Sequence, residues 1–385
     1  MSRCRPNLGR GGERIALWRG MWFCATLAAS TAQAANWVHL EKVEPHMGTQ
    51  VAISLYASDE AVANRGLAEA FARIAALDRM MSDYREDSEL SQLGRSAPSS
   101  SGQPTNAVRV SPEILEILVA ADAISRASAG AFDVSVGPMS RLWRRARRRH
   151  ELPNEEQIQQ ALGSVGYQYI DIDRAQQTVT LRRPNLRLDF GGIAKGYASD
   201  QALAVLKQHG IDRASVNAGG GLSLGERPPG QEGWKVAISQ GGERTAPSKW
   251  VRLQNCGIAT SGDTFQHVVL NGKRYSHIVD PRTGWALTES RMATVISPSG
   301  MMADALATAA CVLGPDEGLS LVAQFPGSTA LIGSRGSEDE TSWRTASSPS
   351  FPVLEATPSQ SSDERHWGES KSPIPPCRGG QEEEQ

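Results

Sequence analysis

Asp304 and Thr308 stand four residues apart in the alanine-rich stretch Met301-Met302-Ala303-Asp304-Ala305-Leu306-Ala307-Thr308-Ala309-Ala310. Alanine has the highest helix propensity, so the stretch is predicted to be a helix, and its apolar content predicts that the helix is largely buried. A four-residue spacing then puts a carboxylate and a hydroxyl on one helical face. Two oxygen donors of that kind suit a hard cation such as magnesium, with phosphates and water completing its shell. The same pair can equally serve the helix alone, Asp304 as a cap and Thr308 bonding back to a carbonyl.

A second stretch, Asp189-Phe190-Gly191-Gly192-Ile193-Ala194-Lys195-Gly196-Tyr197, follows an alternating, strand-like segment at 186–188 and precedes a helical one. Small residues and a lysine at a strand-to-helix turn let backbone approach a phosphate closely, with the helix N-terminus and an ammonium facing its charge. It is not a P-loop, because Lys195 follows Gly192 after only two residues. A turn of this composition alone is also compatible with a purely structural role.

A third cluster runs Ala259-Thr260-Ser261-Gly262-Asp263 and then Tyr275-Ser276-His277-Ile278-Val279-Asp280-Pro281-Arg282-Thr283-Gly284. Pro281 and Gly284 are turn residues after a strand, and Asp280 with Arg282 can simply clamp that turn. His277 is either a satisfied core histidine or an acid–base group. Gly130-Ala131-Phe132-Asp133-Val134-Ser135-Val136-Gly137-Pro138 is expected to join a helix to a strand, and Asn217-Ala218-Gly219-Gly220-Gly221 to end another strand. Gly221-Leu222-Ser223-Leu224-Gly225 matches the serine-hydrolase elbow in spacing only. That elbow needs a helix after the serine, and Gly225-Glu226-Arg227-Pro228-Pro229-Gly230 cannot form one. No His-Glu-x-x-His or Cys-x-x-Cys spacing is present.

The elements that must position these groups follow from periodicity. Residues 51–56 form a short apolar run with strand propensity, and Leu67, Phe71, Ile74 and Leu77 recur at helical spacing. The polar, turn-rich stretch 95–106 is expected on the surface, and Ser111-Pro112-Glu113 opens a second helix with serine as N-cap and proline at its first position. Six arginines between 141 and 150 read as a solvated basic face, since only Trp143 interleaves them, and a further helix starts near Pro153. No fixed-period repeat is visible.

Composition bounds the rest. A 385-residue chain of ordinary apolar content can bury a substantial core, and 40 Lys and Arg against 42 Asp and Glu leave a net charge of −2. No global field favours nucleic acid, which is not expected as a partner. Arg3, Arg5, Arg10 and Arg14, an apolar stretch at 21–29 and Ala32-Gln33-Ala34 read as a cleavable signal over 1–34. The stretch is too short for a permanent span, and Cys24 lacks a lipidation context, so a periplasmic or otherwise exported protein is expected, free or at the membrane surface, without a stable membrane span. Cleavage leaves Cys256, Cys311 and Cys377, too few and too scattered for a disulfide framework, and Cys311 reads as core. The catalytic domain is expected over 35–355 and a disordered tail, rich in Ser, Pro, Glu and Gln, over 356–385.

Taken together and in order, these segments resemble the ApbE family of FAD:protein FMN transferases. The resemblance rests on Met47-Gly48-Thr49, Met81-Ser82-Asp83-Tyr84 with Asp87-Ser88-Glu89-Leu90-Ser91, Gly130-Ala131-Phe132-Asp133, the 189–197 stretch, the 259–263 and 277–284 stretches, and Ala303-Asp304-Ala305-Leu306-Ala307-Thr308. It implies an α+β fold, one catalytic unit with an antiparallel sheet packed by helices. It also implies an FAD site made by Met47, Tyr84, Ala131, Phe132, Asp133, Asp189 and Lys195, beside His277 and Ile278. By the same resemblance, magnesium is held by Asp304, Thr308 and the main-chain carbonyl of Gly192.

The reaction so implied splits the FAD pyrophosphate, releases AMP and leaves FMN on a threonine or serine of an exported or membrane-associated redox protein. Positioning and charge neutralisation are what such a transfer needs. Lys195 is the candidate second cation on the phosphates, and His277 the candidate base for the acceptor hydroxyl. Two other readings share these residues: an FAD pyrophosphatase, in which water replaces the protein hydroxyl, and a non-catalytic FAD-binding protein. Gly192 stands where many family members have alanine, and Gly221-Leu222 replaces a commoner glycine and acidic residue.

Overall fold

Val51, Ile53, Leu55 and Ala57 are buried while the residues between them are not, the period-two signature of a strand with one face on a core. The computed structural model describes residues 36–238, 249–262, 266–335 and 343–356. The chain runs through β1 (Val38–His46), β2 (Thr49–Ala57), α1 (Glu60–Met81), α2 (Glu89–Arg95), β3 (Val108–Arg109), α3 (Pro112–Ala127), α4 (Gly137–Arg149) and α5 (Glu155–Leu162). There follow β4 (Ile170–Asp173), β5 (Thr178–Leu181), α6 (Ala194–Gln208), β6 (Arg213–Ala218), β7 (Gly221–Leu224), β8 (Trp234–Ile238), β9 (Lys249–Leu253) and β10 (Cys256–Gly262). The remainder is β11 (His267–Leu270), β12 (Lys273–Ser276), β13 (Ser290–Ser297), α7 (Gly300–Leu313), α8 (Pro315–Val322), β14 (Thr329–Arg335) and β15 (Arg344–Ser347).

Eight strands form one sheet in the order β1-β2-β6-β7-β10-β13-β14-β15, and every neighbouring pair is antiparallel. Its two faces carry different loads. Ala259, Val295, Ala330 and Ile332 point into the core shared with α3 and α7, whereas Ile258, Ile296 and Leu331 point the other way, under the β8–β9 hairpin. The edge beside β2 is covered by α1 and α6 through Leu67, Phe71, Ile74, Ala202 and Leu206. Each large apolar side chain fully buried in this way contributes about 1.5–3 kcal/mol. A third core joins α4 and α5 to the β11–β12 hairpin through Met139, Trp143, Ile158, Val268 and Tyr275. This is the α+β arrangement of an antiparallel sheet packed by helices. Among the described residues no helix is long and apolar enough to cross a membrane.

The α1 periodicity and the α3 start are as read: Ser111 Oγ accepts from the Ile114 amide at 3.3 Å, with Pro112 in the first turn. Three local expectations are corrected. Met47-Gly48-Thr49 does not precede the first strand but turns β1 into β2. β1 is polar and at most half-buried along its length, so it carries no periodic apolar signal. The 130–138 stretch leads from α3 into helix α4 rather than a strand. The strand-like 186–188 makes only a single bridge, Arg187 to Val136, although Leu186 and Leu188 are buried as alternation requires. The leader at 1–34 and the tail beyond Ala356 lie outside the described residues.

Candidate active site

The first turn of α6 is laid directly on α7. A Cβ added to Gly196 would stand 2.1 Å from the Gly300 carbonyl oxygen, and one on Gly257 would stand 2.3 Å from the Gly300 amide nitrogen, so only hydrogens fit at these contacts. The N-terminus of α7 is capped without Asp304. Ser299 Oγ accepts from the Met302 amide at 3.2 Å. The α6 residue Asp200 takes the Gly300 and Met301 amides at 2.8 and 2.9 Å and the Ser223 hydroxyl at 2.6 Å. Ser223, the serine of the elbow-like spacing, is thus a buried strut on β7.

Relieved of capping, Asp304 faces the start of α6. Its Oδ2 accepts from the Gly196 amide at 3.2 Å and lies 3.6 Å from Lys195 Nζ. Lys195 Nζ also donates to the Gly191 carbonyl at 2.6 Å. Because the Gly196 amide is turned to Asp304, no backbone amide among the described residues donates to the Gly192 carbonyl four residues earlier. Nor does Asp304 Oδ1 have a partner among them. Thr308 Oγ1 donates to the Asp304 carbonyl and pairs with Ser261 Oγ, both at 3.1 Å. Gly192 is pressed against that hydroxyl, a Cβ there standing 3.0 Å from Thr308 Oγ1 and 3.3 Å from Phe132. Part of the helix-only reading therefore holds, since Thr308 does bond back, but one of its lone pairs remains available once Ser261 donates to the other. A carboxylate and a hydroxyl on one face of α7, with Gly192 packed against the hydroxyl, offer oxygen donors of the kind a hard divalent cation takes.

On the other side of the glycine turn, Asp189 is buried; its Oδ1 accepts from the Gly191 amide at 2.8 Å and its Oδ2 from Arg144 Nη2 at 3.0 Å. The other arm of Arg144 reaches Asp83, and its guanidinium carbon lies 4.5 Å from the centre of the Tyr84 ring. Burial, together with Asp189, holds the Asp83 carboxyl above the ordinary aspartate range, against the opposing pull of Arg144. Burial lowers the Arg144 guanidinium, but Asp189 and Asp83 outweigh it and leave it more firmly charged. Tyr84 itself is exposed.

Asp133 is buried with its carboxylate turned into the protein, where Oδ1 takes the Ser135 amide and hydroxyl at 2.7 Å and Oδ2 the Tyr167 amide at 2.7 Å. Burial raises its pKa despite those bonds. Ala131, Phe132 and Ile278 are buried in the same core as Ile193 and Ala303. Met47 packs half-buried on that core at a positive φ of 52°, its amide donating to Asp78 at 2.8 Å. His277 follows β12, and its Nδ1 lies 3.1 Å from the Gln266 carbonyl oxygen. A carbonyl only accepts, which makes Nδ1 the donor in this contact. No hydrogen bond joins His277 to Lys195, Asp304 or Thr308 among the described residues. Asp280 and Arg282 clamp their turn, 2.8 Å apart. Asp263 lies outside the described residues.

The structure thus gathers Gly192, Lys195, Asp304 and Thr308 into one cluster, with Phe132 against it and Asp189 two bonds away. Sequence reasoning missed Arg144, hidden in a run of arginines, and the pairing of Ser261 with Thr308. Met139, Leu142, Trp143 and Ala146 mark the buried stripe of α4, and Arg144 on its flank is the one signal that could have singled it out.

The chain matches the model of the ApbE family over residues 47–332. It is 31% identical over 286 residues to an FAD:protein FMN transferase of Escherichia coli, covering 72% of this chain and 79% of the relative. A crystal structure of the apo form of the Pseudomonas stutzeri flavinyl transferase ApbE superposes with a TM-score of 0.69 at 30% identity, covering 81% of this chain and 95% of that one. The flavin transferase ApbE from Vibrio cholerae gives a TM-score of 0.69 at 28% identity, with 82% and 98% covered.

Proposed function

The chain belongs to the ApbE family, and from that premise we propose that it is a magnesium-dependent FAD:protein FMN transferase acting on exported or membrane-associated redox proteins. The observation that carries the chemistry is the placement of the Asp304 carboxylate and the Thr308 hydroxyl at the α6–α7 crossing, with Gly192 packed against Thr308 and Lys195 3.6 Å from Asp304. That carboxylate, that hydroxyl and the Gly192 carbonyl would hold the magnesium, which when bound neutralises charge on the FAD pyrophosphate. Lys195 supplies a second positive charge, held in place by Gly191 and Asp304. The glycine turn lets backbone come close to the phosphates, since neither Gly191 nor Gly192 carries a side chain to fend them off.

Transfer then requires an acceptor hydroxyl to form a bond to the FMN phosphorus while the bond to the AMP oxygen breaks. His277, positioned by its 3.1 Å contact from Nδ1 to the Gln266 carbonyl, accepts the hydroxyl's proton. The signal-like leader supports an exported location and hence an exported acceptor. The test incubates purified protein with FAD, magnesium and a flavin-accepting redox domain, and reads covalent flavin by in-gel fluorescence and mass. Expected is one FMN per acceptor with stoichiometric AMP, abolished in Asp304→Ala. AMP without labelling indicates FAD hydrolysis instead, and intact FAD a binding protein only.

A further inference from the structure

Arg144 has no part in the chemistry above, yet it joins the two halves of the site. We propose that Arg144 is a positioning residue that sets the affinity for FAD by fixing Tyr84 relative to the Asp189 turn. The inference rests on the assignment of Tyr84 and Asp189 to the FAD site.

The loop between α1 and α2 presents Tyr84 with 74% of its surface exposed, so little of the ring is packed against the described residues. The loop's own bonds secure its base only: Ser88 Oγ donates to the Ser82 carbonyl at 2.6 Å, and Ser82 Oγ accepts from the Tyr84 amide at 3.3 Å. What the ring itself rests on is the Arg144 guanidinium, 4.5 Å from its centre. The same planar group reaches Asp83, the residue before Tyr84, with one arm and Asp189 with the other at 3.0 Å. Asp189 in turn holds the Gly191 amide at 2.8 Å, so the linkage continues into the turn that carries Gly192 and Lys195. A guanidinium can bridge two carboxylates and offer its face to a ring simultaneously, whereas an ammonium cannot. The fork also keeps two nearby carboxylates from repelling one another, the burial of Arg144 behind the ring making that interaction strong.

A ring that stacks on Arg144 loses that support when Arg144 is removed, while Asp304 and Thr308 keep their own bonds to Gly196 and Ser261. Binding should suffer more than turnover. The experiment measures FAD-dependent AMP release and FAD binding by the full chain and by Arg144→Met, Arg144→Lys, Tyr84→Ala and Arg144→Met/Tyr84→Ala, with the melting temperature of each. Expected is a KM for FAD raised about tenfold or more in Arg144→Met with kcat changed less than about threefold. Arg144→Lys should shift in the same direction and serves by the same criteria if Arg144→Met does not fold. Tyr84→Ala should add less to Arg144→Met than to the wild type, because both act through one ring. An unchanged KM in the folded variants, or fully additive effects, overturns the proposal. A wild type that neither binds FAD nor releases AMP refutes the underlying assignment instead, and the two failures are told apart in the first assay.

Discussion

At the residue scale, Thr308 shows how one hydroxyl can bond back to its own helix and still offer a lone pair. It has one proton and two lone pairs. With the proton on the Asp304 carbonyl, the 3.1 Å contact to Ser261 Oγ is satisfied with Ser261 as donor, which leaves one lone pair directed by its two neighbours. Ser261 therefore orients the Thr308 hydroxyl that we propose as a magnesium ligand. Ser261→Ala is expected to raise the magnesium concentration for half-maximal transfer by about tenfold while sparing the rate at saturating metal, as loss of an orienting partner does; a magnesium titration checks this. A second expectation concerns a residue outside the site. Burial pushes the Cys256 thiol up to about 11, so at pH 8 only about one molecule in a thousand carries the reactive thiolate there. Aromatic disulfide reagents should label Cys256 in the native protein far more slowly than in denaturant, read by peptide mass.

At the element scale, the decisive feature is the α6–α7 crossing, and it rests on the contact of Gly196 with Gly300. Gly196→Ala would drive a methyl into the Gly300 carbonyl at 2.1 Å, an atom of backbone that cannot rotate away. Separating the helices also withdraws the Gly196 amide from Asp304 and Lys195 from its 3.6 Å approach. The variant is expected to lose about 2–3 kcal/mol of stability, the upper range for overpacking, and most of its transfer activity, measured by urea unfolding and AMP release. Gly192→Ala differs, because its Cβ would meet a hydroxyl at 3.0 Å and a ring edge at 3.3 Å, both of which can shift slightly; it should keep activity within about fivefold, a cost near 1 kcal/mol. Alanine content made α7 legible in the sequence, and four-residue spacing aligned Asp304 with Thr308. Which helix they face was not legible, since a glycine at a close crossing looks like a glycine in a turn. Neither was β1, whose residues are half-buried at most, because a polar edge strand is specified by its partner's register and not by its own pattern. Arg144 was misread for a related reason: charge runs signal solvent on average, and only the Asp83 and Asp189 positions, 61 and 45 residues away, make this one an exception.

At the scale of the whole molecule, the fold continues past the segment that the family shares. The family match ends at residue 332, inside β14, yet β15 pairs with β14 through Leu331, Ile332, Gly333 and Ser334. Phe351 and Leu354 then pack on the sheet face under the β8–β9 hairpin, and Glu355 exchanges both backbone hydrogen bonds with Trp250, at 2.9 and 2.8 Å, while its carboxylate meets Arg252 at 3.0 Å. This strap closes a face that would otherwise expose Ile258, Ile296 and Leu331 at its edge. Residues 357–385 offer little comparable apolar surface, with Trp367 and Ile374 their only large apolar side chains. A chain spanning 36–356 should therefore melt within about 2 °C of one spanning 36–385, whereas ending it at Ser348 removes the strap and should lower the melting temperature by about 4–8 °C, given a few kcal/mol of lost burial in a domain of this size. Both truncations keep every residue of the Asp304 cluster. Comparing their transfer rates at a temperature well below melting thus separates the strap's contribution to stability from any contribution to the site: equal rates are expected, and a slower strapless chain would mean that the far face of the sheet helps to hold the α6–α7 crossing in register.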